Sequence, residues 1–315
     1  MTVTVIGAGV AGLACARALV DAGVAVTVLE RDTVVGGRLS TESHEGRPTD
    51  VGAAYFTVSD PGFEAVVTRW RDKGLARPWT DTLTAIDRHD HVAAPGPMRW
   101  AAPRGLRSLA ADLAAGLPVT LGRAVRSVGP GPVVDGSRAD HVVLAMPGPE
   151  ALPLLAEDLS AARAAAAAQR WQSSIAVTLR YAERTWRLRG AFVNGHGQLR
   201  MICDDGSRRG DDAPVLVAHT TAEYTAEHLD NPERAAEDVV QALSYVIGLR
   251  QQPLSRHVRL WRYAQPEPVT EAPFHLDEQG IGLCGDAWGA TPRVQTAWLS
   301  GTALGQEIAR RLLPG

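Results

Sequence analysis

Gly7, Gly9 and Gly12 are spaced as Gly-x-Gly-x-x-Gly between an apolar run, Val3-Thr4-Val5-Ile6, and a helical segment that contains Ala11. Glycines at this spacing can hold a diphosphate. Gly7 allows a tight turn off the strand, Gly9 lets backbone approach a pyrophosphate, and Gly12 lets the helix pack close to the sheet. The anion then rests on the positive N-terminus of the helix. Glu30 ends a second apolar run, Val24 to Leu29, where a carboxylate can accept hydrogen bonds from the ribose hydroxyls of an adenine dinucleotide.

Other residues of chemical interest lie downstream. Gly36-Gly37-Arg38 follows Glu30 closely, and Asp50-Val51-Gly52-Ala53-Ala54-Tyr55-Phe56 comes next. Gly285-Asp286 follows an apolar run near the end of the chain, where the aspartate reads either as a ligand-binding carboxylate or as a helix N-cap. Aromatic rings accompany these motifs at Tyr55, Trp261, Tyr263, Trp288 and Trp298. Trp298 has the spacing of a helix core face, and Trp261 and Tyr263 share one face of a strand, pocket or core alike. His219 ends an apolar strand, as a structural histidine or a pocket residue. Arg262 would point away from Trp261, where it could meet a substrate anion, and His89-Asp90-His91 reads as a solvated turn.

The elements that must position these residues begin with a strand, a helix and a second strand over the first 30 residues. Helical spacing predicts helices over Phe63 to Arg71, 104 to 115 (Leu106, Leu109, Ala110 and Leu113 on one face), Ala161 to Gln169 and Pro232 to Ile247, and a last helix carrying Val294, Ala297, Trp298, Gly301, Leu304, Ile308 and Leu312 on one face. Strands are expected over Val119 to Val128, His141 to Ala145, Ile175 to Tyr181, Val215 to Thr221, His257 to Tyr263 and Gly280 to Cys284. Trp79 to Trp100, with Pro95 and Pro97, reads as short strands and turns. The pattern predicts an α/β fold with a Rossmann-type nucleotide-binding domain and a second, α+β domain containing a largely antiparallel sheet. The boundaries place 1–75, 101–149 and 275–315 in the first and 76–100 and 150–274, a substrate domain, in the second.

At 315 residues the chain has room for about two domains and can bury a large core without metal or disulfide staples. A net charge of -3 gives no reason to expect nucleic acid or an anionic membrane as partner. Cys15, Cys203 and Cys284 are too few and too scattered for a disulfide framework, a zinc site or a Cys-x-x-C pair, and a reducing cytoplasm suits them. No signal peptide, membrane span or metal-ligand spacing is expected. Of 32 basic residues only Lys73 is lysine.

Taken together, the N-terminal fingerprint and the C-terminal Gly285-Asp286 resemble the glutathione-reductase-like FAD proteins, and Gly36-Gly37-Arg38 resembles the motif of the flavin amine-oxidase superfamily, where the arginine lies along the pyrophosphate. Asp50 to Phe56 resembles the Asp-Leu/Met-Gly-Ala-Gln-Tyr segment of renalase-like flavoproteins. His219-Thr220-Thr221, Trp261-Arg262-Tyr263, Cys284-Gly285-Asp286 and Arg293-Val294 through Gly301 resemble that branch too. Ala54 departs from its glutamine, and residues 287 to 292 differ in length and composition. The resemblance implies non-covalent FAD held by Gly7, Gly9, Ala11, Gly12, Glu30, Arg31, Gly37, Arg38, Ala54, Tyr55, Val125, Asp286 and Val294. Tyr55, His219, Trp261, Tyr263 and Trp288 become pocket candidates, with no general base among them.

It further implies a cytoplasmic oxidase of the bacterial renalase branch. The substrate would be a dihydronicotinamide dinucleotide isomer giving hydride to flavin N5, with O2 as acceptor and H2O2 as product. Amine oxidases of the superfamily usually place a lysine near N5, and Lys73 is remote in sequence from the flavin motifs. Arginine, which stays protonated and has a different shape, is a poor substitute for it. Hydride donation from a dihydropyridine needs orientation rather than a base. Oxidation of an amine or a specialised metabolite, and an FAD-binding protein that turns nothing over, are the alternatives that Ala54 and the altered 287–292 segment leave open.

Overall fold

The computed structural model describes residues 1–88, 90–267 and 271–313, so His89 of the expected solvated turn lies outside it. Packing divides the chain into two compact units: Met1–Arg38, Leu109–Trp171 and Gln265–Gly315 in unit 1, and Leu39–Ser108 and Gln172–Ala264 in unit 2.

Unit 1 is built on a six-stranded sheet in the order His275–Leu276, Ile281–Leu283, His141–Leu144, Thr2–Ile6, Ala25–Leu29, Val119–Thr120. Neighbours run parallel except at the His275–Leu276 edge. Val3, Val5, Val28, Val142, Val143 and Leu144 are buried, as expected of parallel strands covered on both faces. The first strand pairs with Ala25–Leu29 on one side and His141–Leu144 on the other. That change of direction opens a crevice at its C-terminal end, where ligands of such sheets bind.

Helix Val10–Asp21 rises from this crevice and is crossed by the last helix, Val294–Leu312. Both approaches are too close for side chains. A Cβ on Gly12 would lie 2.0 Å from the Gly7 carbonyl oxygen, and one on Gly301 would lie 1.9 Å from that of Ala11. Gly305, one turn on, faces the Cys15 carbonyl at 2.5 Å in the same sense, so residues i and i+4 of one helix meet residues i and i+4 of the other.

Two sequence expectations change here. The strand expected over Val119 to Val128 is two short strands, Val119–Thr120 and Val128–Gly129. Between them the chain bends around the end of the second strand, with Gly122 N–H donating to the Asp32 carbonyl (2.9 Å) and Arg123 N–H to that of Glu30 (2.7 Å). The alanine-rich helix, observed at Ser160–Ala167, packs in unit 1. Ala162 and Ala166 share a core with Val142, Leu144 and Ile281, because only small side chains allow the helix to lie so close to the sheet.

Unit 2 contains an eight-stranded sheet in the order Ser255–Pro266, Trp171–Arg180, Val215–Thr220, Leu199–Asp204, Gly190–Asn194, Arg77–Asp87, Asp90–Ala101, Phe56–Thr57. It is the largely antiparallel sheet that was expected, with a parallel pairing of Gly190–Asn194 and Arg77–Asp87. One face is a hydrophobic core: Ile175, Val177, Ile202, Leu216 and Ala218 pack with Val239 and Leu243 of helix Ala235–Val246. Residues of the other parity point the opposite way. Register puts Ala176, His219, Met201, Phe192 and Ala85 side by side across that second face.

The region from Trp79 to Trp100 forms two long strands rather than short ones. Pro95 and Pro97 are tolerated because, among the described residues, Asp90–Ala101 is paired on its far side only at Arg99 and Trp100, leaving the remainder as an edge that needs no proline N–H. The helix expected from residue 104 starts at Arg107, since Gly105 takes a positive φ of 89° with Thr41 packed against it.

Gly301→Val would drive two methyl groups into the Ala11 backbone, and we expect it to destabilise the chain by at least about 1–3 kcal/mol. Chemical denaturation measures this; an unchanged unfolding midpoint contradicts the close approach.

Candidate functional site

In unit 1 the glycine turn, Glu30 and Arg38 converge. Glu30, buried at 7% exposure, accepts the Ala8 N–H at Oε2 (2.7 Å) and the Asp32 N–H at Oε1 (2.9 Å). Each oxygen keeps a lone pair for a further donor. Gly36 N–H donates to the Ala8 carbonyl (2.9 Å), and a Cβ on Gly37 would come within 3.6 Å of the Gly9 Cα, so the second glycine pair lies over the first turn. Arg38 makes a two-pronged pair with Asp286, 2.8 Å from Nη1 to Oδ2 and 2.5 Å from Nη2 to Oδ1, and its guanidinium lies 4.8 Å from the Trp171 ring centroid. Two residues separated by nearly 250 positions are thus joined at one place. The Ser300 hydroxyl accepts the Gly285 N–H at 3.0 Å, which ties the last helix to the Gly285-Asp286 turn.

These residues fit the ADP half of FAD. Helix Val10–Asp21 is capped by Gly9 with no side-chain acceptor and has no acid in its first turn, so its leading amides are available to an anion. A Cβ on Gly9 would meet nothing within 4 Å; the crest of the turn is open. The other expected contacts are more peripheral. Ala11 is buried against the last helix, Val125 packs on the core and Val294 is half-buried at the helix start. Arg31 is exposed and pairs with Glu150 at 2.9 Å.

Unit 2 holds the Asp50–Tyr55 segment by means that the sequence reading missed. Helix Asp205–Arg209 carries a buried charge cluster. Arg208 donates to the carbonyls of Asp50 (3.1 Å) and Ala54 (2.7 Å) and pairs with Asp205. Asp205 also receives Arg47 at 2.6 Å and Arg209 at 3.2 Å. Burial works against the charge on Asp205, yet Arg208, Arg209 and Arg47 hold its carboxyl well below the ordinary carboxylate range. Asp50 accepts the Thr41 hydroxyl (2.5 Å) and the Leu106 N–H (2.9 Å), with Arg209 3.3 Å away. Trp261 Nε1 donates to the Val51 carbonyl at 2.8 Å. Three carbonyls at and beyond the end of strand Arg47–Asp50, those of Asp50, Val51 and Ala54, are therefore satisfied by side chains, as buried backbone groups must be. In sequence, Asp205 with Arg208 and Arg209 at i+3 and i+4 was the available signal; it looks the same as a solvated helix face.

Of the pocket candidates, Tyr55 lies half-buried with its ring 6.2 Å from that of Trp79, and Trp261 packs on Val51, Ala176 and Val217. Tyr263 is half-buried two residues along the same strand, and Arg262 is exposed. His219 stands on the second face of the sheet, next to Met201 and Ala176. Its Nε2 is sealed without a partner. Burial, reinforced by Arg208 and Arg200, pushes its pKa down to about 3, so it is a neutral ring at ordinary pH. Trp288 belongs to unit 1, where it is buried in the core with Val142, Leu144 and Leu283 and lies 6.3 Å from His275; Gly285-Asp286 turns the chain so that this ring faces inward. Trp298 is half-buried.

Comparison with known proteins agrees with this arrangement. The family model "NAD(P)-binding Rossmann-like domain" matches residues 5–70, and "Flavin containing amine oxidoreductase" matches residues 73–309. Among curated proteins, "Probable polyamine oxidase 4" of Arabidopsis thaliana is 45% identical over 90 residues, 28% of this chain and 18% of that protein. Phytoene dehydrogenase of Streptomyces griseus is 43% identical over 74 residues, 22% of this chain and 15% of that one. The matched segments thus span less than a fifth of these relatives' lengths. Among solved structures, cyclohexylamine oxidase from Brevibacterium oxydans IH-35A aligns with a TM-score of 0.78 at 14% identity, covering 99% of both chains. Putrescine oxidase bound to putrescine aligns with 0.72 at 15%, again over 99% of both. At this identity the likeness is one of fold.

Glu30→Ala removes a carboxylate that orders two backbone amides and can receive two ribose hydroxyls. We expect FAD to bind roughly 10- to 100-fold more weakly, the cost of losing hydrogen bonds to a charged group; titration of apoprotein followed by flavin fluorescence measures it, and unaltered affinity contradicts the assignment. His219 sets a pH dependence of stability. Its folded-state pKa of about 3 lies below the ordinary value of 6.5, so the unfolded chain binds more protons between those values and stability falls as pH drops through that window. His219→Gln should flatten this loss in urea melts across the acid range, and parallel curves for the two proteins would count against a ring held neutral in the fold.

Proposed function

The chain belongs to the family of flavin-containing amine oxidoreductases and is an FAD-dependent oxidoreductase, and we propose that it oxidises a dihydronicotinamide dinucleotide isomer in the manner of bacterial renalases, with oxygen as electron acceptor. Bound FAD supplies the two-electron acceptor. Unit 1 is proposed to hold its ADP half through the first-turn amides, Glu30 and Arg38, and unit 2 to supply the walls that orient the substrate.

One observation carries this reading. The second face of the unit 2 sheet presents rings and no ready base at the positions that could touch a donor: Tyr55 and Phe192 with Met201 beside them, Trp261 fixed by its bond to Val51, and a His219 held neutral by burial. Such walls can orient a donor whose oxidation produces an aromatic ring and needs no protein base in the same step. The chain's one lysine, Lys73, is exposed at the C-cap of helix Pro61–Asp72. The flavin is proposed to be held non-covalently. Cys15, Cys203 and Cys284 are buried thiols, and burial pushes the latter two up to about 11 and about 12, with Cys15 raised in the same direction. None is a ready thiolate.

A second reading is oxidation of an amine. It is favoured by the family itself and by similarity to a polyamine oxidase, and the fold is shared with putrescine and cyclohexylamine oxidases.

Anaerobic stopped-flow mixing of the holoenzyme with isomeric dihydronicotinamide dinucleotides, and separately with mono- and polyamines, separates the readings. We expect rapid loss of flavin absorbance with a dihydronicotinamide isomer and slow or no loss with amines. Bleaching by amines alone establishes the second reading, and a flavin that no donor reduces points to a protein that binds FAD without turnover.

A further inference from the structure

Three arginines of unit 2 are buried: Arg99 at 5% exposure, Arg208 at 1% and Arg209 at 6%. Arg208 and Arg209 are neutralised by Asp205 and Asp50. Arg99 differs from them: among the described residues no carboxylate pairs with it. Its Nη1 donates to the Asp81 carbonyl at 2.8 Å, and its guanidinium lies 5.5 Å from the Tyr55 ring centroid and 5.7 Å from that of Phe192. Aromatic faces offset part of the cost of burying a cation, but a buried charge is ordinarily paired.

The unsatisfied part of this guanidinium has a definite shape. Nε is buried without an acceptor, and Nη2 makes no hydrogen bond among the described residues. Nη2 lies beside Gly96, where a Cβ would crowd it at 3.2 Å, so no side chain covers it there. Nε and Nη2 form the side edge of the guanidinium, two parallel N–H groups that match the two oxygens of a carboxylate or phosphate. The sequence directed attention to Arg262 for a substrate anion, but that residue is exposed, whereas Arg99 shares its surroundings with Tyr55.

We propose that Arg99 is a binding residue for an anionic group, a carboxylate or a phosphate, of the molecule that meets the aromatic face of unit 2. This rests on the reading that this face receives the substrate, and it names the residue that meets an oxyanion of that substrate, such as the diphosphate of a dinucleotide. The Nε–Nη2 edge takes the anion side-on, while Tyr55 and Phe192 hold the guanidinium plane.

Calorimetric titration of the holoenzyme at constant ionic strength with benzoate, phenyl phosphate and benzamide tests it without relying on turnover. In the native protein at least one oxyanion should bind at least about tenfold more tightly than neutral benzamide, and which of the two is tighter tells carboxylate from phosphate. Arg99→Met should abolish the preference. Arg99→Lys, which keeps the charge but not the fork, should retain part of it. Equal binding of benzoate, phenyl phosphate and benzamide by the native protein overturns the proposal, as does a preference that survives in Arg99→Met. Because these probes are not oxidised, a protein that shows the preference yet fails to oxidise dihydronicotinamides would lose the proposed reaction and keep the anion site.

Discussion

Three backbone surfaces of unit 1 meet with no side chain between them. Gly12 rests on the Gly7 carbonyl, Gly7 on that of Ala145, and Gly301 on that of Ala11. These contacts fix the end of the first strand, the start of its helix and the course of the last helix, so that the leading amides, Glu30 and the Arg38–Asp286 pair are set before any ligand arrives. A single added methyl group at any of these places would separate elements whose alignment the site requires. Preorganisation of this kind lets binding energy go to the ligand rather than to ordering the protein.

Unit 2 solves a different problem with different means. Its segment between strand Arg47–Asp50 and strand Phe56–Thr57 is held by side chains: Arg208 and Trp261 take the carbonyls of Asp50, Val51 and Ala54, and Asp50 ties it to Thr41 and Leu106. The charges that do this are buried and mutually compensated, and Arg208 among them adds to the burial that depresses the pKa of His219. Arg208 thus both holds the segment that carries Tyr55 and helps burial keep the adjoining His219 neutral. Arg99 is the exception among the buried arginines of the described residues, and its unpaired edge gives the face a polarity that its aromatic walls lack.

The nucleotide cradle was legible in the sequence because its requirements are local. Gly7, Gly9, Gly12 and Glu30 lie within one strand-helix-strand unit, and their spacing reports a backbone geometry that few other residues permit. Arg38 and Asp286 were legible by resemblance, although their direct pairing was not. The charge cluster was hidden because Asp205, Arg208 and Arg209 have the composition of a solvated helix, and only the sheet packed around them makes them buried. The same limit applies to Arg99, whose missing partner is a property of the folded neighbourhood. Trp288 stood beside a flavin motif in sequence but faces the core, since chain proximity does not fix the direction of a ring after a glycine turn.

The central claim is that unit 1 presents a preformed cradle for the ADP half of FAD. Calorimetric titration of the apoprotein with ADP alone, followed by FAD in the presence of ADP, tests it most directly. The account predicts that ADP binds by itself, with one site per chain, and weakens FAD binding competitively. An apoprotein that binds FAD but neither binds ADP nor shows competition would contradict it.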